Sequence, residues 1–166
     1  MKRYLIPLLF VAALLAGGCG SSSAPAEAKN GDTVKVDYTG RLGNGTEFDS
    51  SVGREPWQFT IGAGGVIPGF EQAVIGMQLG ESKTVVIPVD QAYGPYRDEL
   101  VIVMDRGQFP PDWEPEVDQQ VPLTVPDGRV IWARVIDVSE SSVTLDANHD
   151  LAGKELTFDI TLVEIM

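Results

Sequence analysis

Cysteine and histidine are almost absent from this sequence, and their scarcity excludes several kinds of site. The 166 residues include one cysteine, Cys19, and one histidine, His149. A disulfide within the chain is therefore excluded, and one histidine falls short of the three or four protein ligands that a metal site usually needs. We expect no metal site and interpret His149 as a structural residue beside Asn148. No segment resembles the nucleophile elbow of a hydrolase, so a serine hydrolase built on His149 is not expected.

Basic side chains are also few, with 12 Lys and Arg against 24 Asp and Glu and a formal net charge of −12. A surface of this sign repels phosphate groups, so we expect no nucleic-acid partner. The acidic stretch that starts at Asp146 resembles a calcium-binding loop only at its beginning. Its sixth and twelfth residues are Leu151 and Thr157, where such a loop needs a glycine and an acid. No calcium site is expected.

The one long apolar run, from Leu5 to Ala16, is shorter than the roughly 20 residues that a membrane-spanning helix needs. Two basic residues precede the run and small residues follow it, which is typical of an export signal over residues 1–18. The segment LAGGC resembles a bacterial lipobox, in which the cysteine is acylated, although Ala16 stands where leucine is usual. We therefore predict lipidation of Cys19, the alternative being an ordinary signal peptide with an incidental cysteine.

Residues 19–31 are small and polar, without periodicity, and predict a flexible linker. A linker of this length holds a folded domain about 20 Å from its anchor. We expect an exported protein, attached to a bacterial membrane through the lipid on Cys19 and facing the periplasm or the extracellular side.

Alternation of apolar and polar residues predicts an antiparallel sheet in the rest of the chain. The turn signal Asn44-Gly45 predicts a hairpin after the first strand. The predicted strands lie in the segments DTVKVDYTGRL, TEFDSS, WQFTIG, ESKTVVIPVD and ELTFDITLVEI.

A single short helix is predicted between Pro68 and Gly80. Proline suits the first helical position, and glycine suits the residue after the last turn. Four apolar residues share one face of this helix: Phe70, Ala73, Val74 and Met77. The predicted fold class is α+β, a twisted antiparallel sheet wrapped on one short helix.

Three blocks of this sequence are similar to FKBP-type peptidyl-prolyl cis/trans isomerases. They are VDYTGRLGNGTEFDSS, PWQFTIGAGGVIPGFEQAVIGMQLGESKTVVIPVDQAYG and LTFDITLVEI. The resemblance assigns residues 32–96 and 147–166 to an FKBP-like domain. It implies an enzyme that needs no cofactor and that rotates Xaa-Pro bonds in unfolded or partly folded polypeptides.

The resemblance also implies one apolar pocket and its residues. The residues implied in catalysis are Tyr38, Phe48, Asp49, Ile67 and Tyr93. The residues implied in substrate binding are Trp57, Phe59, Val66, Phe70 and Phe158. Phe70 stands where the family often has tryptophan, and Trp57 stands where phenylalanine is common. Among the first group, the Ile67 N–H and the Tyr93 hydroxyl are implied to hold a substrate carbonyl.

Residues 97–146 exceed the roughly 4–6 residues of an ordinary connection, so we expect them to have a structure of their own. Their sequence predicts three or four short strands with turns at 126–128 and 139–142. The segment resembles the insert-in-flap domain of the SlyD-like group, which binds unfolded chains as a chaperone. Its apolar set, much of it expected as core, comprises residues 100–104, Phe109, Trp113, Val121, Leu123, Ile131 and Trp132.

The candidate client-binding residues are Leu100, Val101, Ile102, Val103 and Met104, and the alternative is that this run forms a core strand. We expect a monomer. The alternative function is a lipid-anchored chaperone or binding protein with a vestigial isomerase pocket.

Overall fold

A computed structural model describes residues 26–124 and 128–166. The predicted signal segment, Cys19 and most of the predicted linker lie outside these residues. So do residues 126 and 127 of a predicted turn. In the described part of the chain, no helix combines the length and the apolar character that crossing a bilayer requires.

The described residues form two antiparallel sheets, and the first has five strands with one short helix against it, which confirms the predicted fold class. Its order is β2-β1-β9-β4, and β3 pairs with the other half of β1. Its elements are β1 (Thr33–Leu42), β2 (Glu47–Ser50), β3 (Trp57–Thr60), α1 (Pro68–Val74), β4 (Ser82–Ile87) and β9 (Leu156–Ile165). The predicted hairpin is confirmed, because β1 and β2 pair antiparallel around Gly45, whose φ is 85°.

Alternation along β9 explains where the core of this sheet lies. All four of its inward positions are buried: Leu156, Phe158, Ile160 and Leu162. They pack with Val34 and Val36 of β1 and with Phe70 and Val74 of α1. Each large apolar side chain buried in this way contributes about 1.5–3 kcal/mol, so the sheet and the helix stabilise one another.

The helix begins at Pro68, as predicted, but the prediction of its end near Gly80 is wrong. It ends at Val74, and Gly76 already has a φ of 82°. Met77 is buried as its helical spacing suggests, yet it lies beyond the helix. A glycine with positive φ terminates the helix at the first opportunity.

The predicted linker also ends earlier than expected. Ala28 is 2% exposed. Its N–H donates to the Met77 carbonyl at 2.9 Å, and its carbonyl accepts from the Gly76 N–H at 2.8 Å. Glu27 forms a β-bridge with Gln78. The residues just before β1 are therefore part of the folded body, and extending the flexible linker to residue 31 is wrong.

The second sheet has four strands in the order β5-β8-β7-β6. They are β5 (Val101–Asp105), β6 (Gln120–Thr124), β7 (Val130–Val138) and β8 (Ser142–Asp146). Its buried core comprises Val121, Ala133, Val135, Val143 and Leu145. Trp132 belongs to the apolar set of which much, but not all, was expected as core, and it is 63% exposed.

Two adjacent segments connect the sheets and are hydrogen-bonded to each other. The Arg97 N–H donates to Oδ1 of Asn148, and Nδ2 of Asn148 donates to the Arg97 carbonyl, both at 2.9 Å. Below them, the Gly153 N–H donates to the Gly94 carbonyl at 2.8 Å. The segment that leads from the first sheet to the second and the segment that returns from it therefore lie side by side.

Candidate active site

A cavity of about 470 Å3 opens where β1, β2, β3 and β9 meet the start of α1. Nine of the ten residues predicted for the pocket line it. The lining comprises Tyr38, Phe48, Asp49, Trp57, Gly64, Gly65, Val66, Ile67, Pro68, Phe70, Tyr93 and Phe158.

Phe70 lies at the centre of an aromatic cluster that forms the floor. Its ring meets those of Phe158 and Tyr38 edge to face, at centroid distances of 5.2 and 6.0 Å. Trp57 lies 5.7 Å away. Edge-to-face and tilted pairs are the favourable geometries for aromatic rings, so these walls are fixed by their own packing.

Phe59 is the exception among the predicted pocket residues. It is buried and does not line the cavity. Its ring packs against Trp57 and Phe70 at 5.6 and 5.9 Å. Alternation on β3 places Trp57 and Phe59 on the same face, but only Trp57 reaches the opening. Phe59 therefore does not lie where the predicted substrate contact requires it. It supports, from behind, two rings that line the cavity.

One wall carries a short polar chain of Tyr38, Asp49 and Arg54. The Tyr38 hydroxyl donates to Oδ2 of Asp49 at 2.5 Å, and Nη2 of Arg54 donates to Oδ1 at 2.7 Å. Burial, followed by the bond to Asp49, raises the pKa of Tyr38 to about 12. The Tyr38 hydrogen bond, followed by that of Arg54, lowers the pKa of Asp49. At neutral pH the site therefore holds a neutral hydroxyl and an ionised carboxylate.

Tyr93 stands at the rim, 41% exposed, with its ring stacked on His149. The centroids are 3.8 Å apart and the planes differ by 6°. Among the described residues, neither the Tyr93 hydroxyl nor the Ile67 N–H has a hydrogen-bond partner. Both groups are free to bind a carbonyl oxygen placed in the cavity.

Two residues that contact the lining of this site were not predicted for it: Arg54, which bonds to Asp49, and His149, for which only a structural role beside Asn148 was expected. Arg54 acts through Asp49 from a turn that has no periodicity, and His149 belongs to a distant part of the chain. No spacing rule brings either residue to the pocket.

The predicted client-binding stretch is not part of this site. Leu100 and Val101 are half-buried, and Met104 packs against the core of the second sheet. Ile102 and Val103 are exposed.

The cavity combines aromatic walls with few polar groups. Within residues 26–124 and 128–166, no three His, Cys, Asp or Glu side chains are grouped closely enough for a metal ion. Such a site suits an apolar ring with an adjacent amide, since the walls are largely apolar and two donors without partners are available for a carbonyl oxygen.

Comparison with known proteins supports one family. The family model described as FKBP-type peptidyl-prolyl cis-trans isomerase matches residues 24–163. The short-type peptidyl-prolyl cis-trans isomerase of Methanocaldococcus jannaschii is 40% identical over 152 residues, which are 82% of this chain and 93% of that protein.

Two bacterial relatives are more distant. The FKBP-type peptidyl-prolyl cis-trans isomerase SlyD of Treponema pallidum is 35% identical over 130 residues, covering 78% of this chain and 73% of its own. The FKBP-type 16 kDa peptidyl-prolyl cis-trans isomerase of Escherichia coli is 30% identical over 138 residues, covering 82% of this chain and 93% of its own.

Proposed function

The chain belongs to the FKBP-type peptidyl-prolyl cis-trans isomerase family, and on that premise we propose that it rotates Xaa-Pro bonds in exported polypeptides that are unfolded or partly folded. The observation that carries this proposal is the pocket itself, with its aromatic floor, the Tyr38–Asp49 pair and two free hydrogen-bond donors at one opening.

The chemistry needs no nucleophile. Rotation passes through a twisted amide that has lost its resonance, against a barrier of about 18–20 kcal/mol. Prolyl bonds populate both isomers and exchange unaided in tens to hundreds of seconds. A twisted amide has a less polar carbonyl than a planar one, so a pocket that excludes water favours it over the solvated ground state.

Each group then has a role. Phe70, Trp57 and Phe158 surround the proline ring. The Ile67 N–H and the Tyr93 hydroxyl bind the flanking carbonyl. Asp49, held in place by the Tyr38 hydroxyl, orients the pocket wall that lies beside the rotating bond.

The test is the catalysed exchange of a short Xaa-Pro peptide by the full mature chain. Tyr93→Phe removes one donor, and we expect kcat/KM to fall about tenfold, the worth of one hydrogen bond made in the transition state. Tyr96→Phe is the matched control, because Tyr96 lies outside this pocket and donates to Asp146. No acceleration by the folded wild-type protein would contradict catalysis and would favour a tethered chaperone with a vestigial pocket.

Client binding is proposed for the open face of the second sheet. In this sheet Trp132 pairs with Pro122, and Val103 pairs with Thr144. These positions alternate with core positions such as Ala133 and Val143, so they point away from the core. Val103 is 67% exposed and Trp132 is 63% exposed. An exposed apolar surface of this kind is a usual mark of a binding site.

Trp132→Ser tests this surface in a refolding assay with a client whose folding is not limited by proline. We expect suppression of client aggregation to weaken severalfold, while exchange of the short peptide is unchanged. Val52→Ser is the matched control, because Val52 is 73% exposed beside the first sheet. Equal losses for both variants would contradict a binding surface on the second sheet.

Membrane attachment is proposed through acylated Cys19, with the residues up to Glu27 as the tether. The support is the resemblance of LAGGC to a lipobox and the packing that starts at Glu27. We expect Cys19→Ala to move the protein from the membrane fraction to the soluble fraction. Mass spectrometry of the mature amino terminus provides the direct check, and an unmodified cysteine there would contradict the proposal.

A further inference from the structure

The ring stack at the pocket rim joins two parts of the chain that are distant in sequence. Tyr93 follows the 3-10 helix Val89–Gln91, and His149 lies on the segment returning from the second sheet. Their planes are nearly parallel and their centroids are 3.8 Å apart. The imidazole therefore covers one face of a tyrosine ring that is otherwise exposed at the rim.

His149 is itself fixed from several directions. Its Nδ1 accepts from the Leu151 N–H at 3.1 Å, and its carbonyl accepts from the Ala152 N–H at 2.8 Å. The preceding Asn148 is bonded to Arg97 on the outgoing segment. The following Asp150 accepts from Nη2 of Arg134 at 2.6 Å, a bond that does not involve the imidazole. The imidazole is a supported platform, whereas Tyr93 has no hydrogen bond through its hydroxyl to fix its ring among the described residues.

We propose that His149 is a positioning residue for prolyl isomerisation, whose imidazole holds the Tyr93 ring in the orientation that points its hydroxyl into the pocket. The inference rests on the proposed role of Tyr93. It follows that the segment returning from the second sheet supplies part of the isomerase site without touching substrate.

The first test compares His149→Ala with His149→Phe in the full chain, using the short Xaa-Pro peptide. The interaction energy of a stacked aromatic pair corresponds to a change of about 2- to 10-fold in the population of the stacked Tyr93 orientation, so His149→Ala should lower kcat/KM by that factor. His149→Phe keeps a flat ring without the imidazole nitrogens, and we expect it to retain most of the wild-type value. Equal losses in the two variants would overturn stacking as the cause.

Two further measurements separate positioning from a general structural effect. In the proton NMR spectrum the ring signals of Tyr93 should move downfield in His149→Ala, because the ring current of the imidazole is lost. Asp150→Asn is the matched control, since it weakens the link to Arg134 next door and leaves the stack in place. A loss of kcat/KM in Asp150→Asn as large as in His149→Ala would overturn the inference.

The double variant Tyr93→Ala/His149→Ala completes the cycle. We expect it to be no slower than Tyr93→Ala alone, because a positioning residue has nothing to position once the ring is gone. Wild-type kcat/KM in His149→Ala beside a slow Tyr93→Ala would overturn this inference alone. Wild-type kcat/KM in Tyr93→Ala would overturn the proposed role of Tyr93 as well.

Discussion

At the scale of single residues, the Tyr38–Asp49 pair makes stability depend on alkaline pH. The pKa of Tyr38 is about 12 in the folded protein, above the value of about 10 for an unperturbed tyrosine. The folded state therefore binds this proton more tightly than the unfolded state. The resulting stabilisation is complete below about pH 10 and is lost as the pH rises toward 12.

Tyr38→Phe should remove this dependence, because phenylalanine has no proton to lose. The dependence is measured by urea unfolding, as the difference between the free energy of unfolding at pH 9 and that at pH 11. We expect the wild-type difference to exceed that of the variant. Equal differences in the two proteins would contradict a shifted Tyr38.

Arg54→Ala should act on Asp49 without touching the aromatic floor. The pKa of the Asp49 carboxyl is lowered by hydrogen bonds from Tyr38 and Arg54, so removing the arginine should move it upward. NMR titration of the carboxyl carbon measures this change. Arg41→Ala is the control, because Arg41 pairs with Asp159 elsewhere on the sheet. An Asp49 titration that does not respond to Arg54→Ala would contradict the link.

At the scale of elements, Gly40 on β1 is what allows two pocket rings to approach the strand. A Cβ at this position would lie 2.6 Å from Phe48 and 2.8 Å from Phe158. Both distances are too short for carbon atoms, so the rings would have to move.

Gly40→Ala should therefore lower the free energy of unfolding by about 1–3 kcal/mol and reduce kcat/KM as well. Gly43→Ala is the matched control, because a Cβ there meets nothing within 4 Å. Urea unfolding and the peptide assay give the two readouts. Two variants with the same stability would show that Gly40 tolerates a side chain.

The sequence predicts an element well where the alternation of apolar and polar residues determines it. It fails where a single backbone dihedral angle determines where the element ends. The strand at 156–165 followed from four alternating apolar residues, all of them buried. The end of α1 did not, because Gly76 and Gly80 both adopt positive φ and the sequence does not distinguish them. Phe59 and Trp57 share a face, and only the position of the helix determines which of them reaches the cavity.

At the scale of the whole molecule, the two connecting segments lie close enough together for the second sheet to be deleted without disrupting the first. Because Arg97 and Asn148 are hydrogen-bonded neighbours, a short linker can join them directly. Closing a short loop costs little entropy, and the core of the first sheet uses no residue between them.

A variant with a short Gly-Ser linker in place of residues 98–147 should unfold cooperatively and keep its activity on the short peptide. Its urea m-value should be smaller than that of the full chain, because less surface is exposed on unfolding. The full chain is the control for both measurements. Failure to show a cooperative transition would contradict independent folding of the first sheet.

The pocket residues could be predicted from the sequence because the segments that resemble the family contain them. Features that depend on packing between distant parts of the chain could not be predicted. Composition does not say which members of the apolar set lie outside the core of the second sheet, and it is strand register that turns Trp132 outward. The stack of His149 on Tyr93 depends on how the returning segment crosses the rim, which no local pattern encodes.

The position of β9 determines the order in which this molecule can be completed during synthesis. β9 lies between β1 and β4, and Val34 pairs with Ile165 across nearly the whole chain. Every strand of the second sheet leaves the ribosome before β9 does. The second sheet can therefore fold on a nascent chain while Phe158 is still missing from the pocket. Isomerase activity thus begins only after the segment that carries β9 has been synthesised.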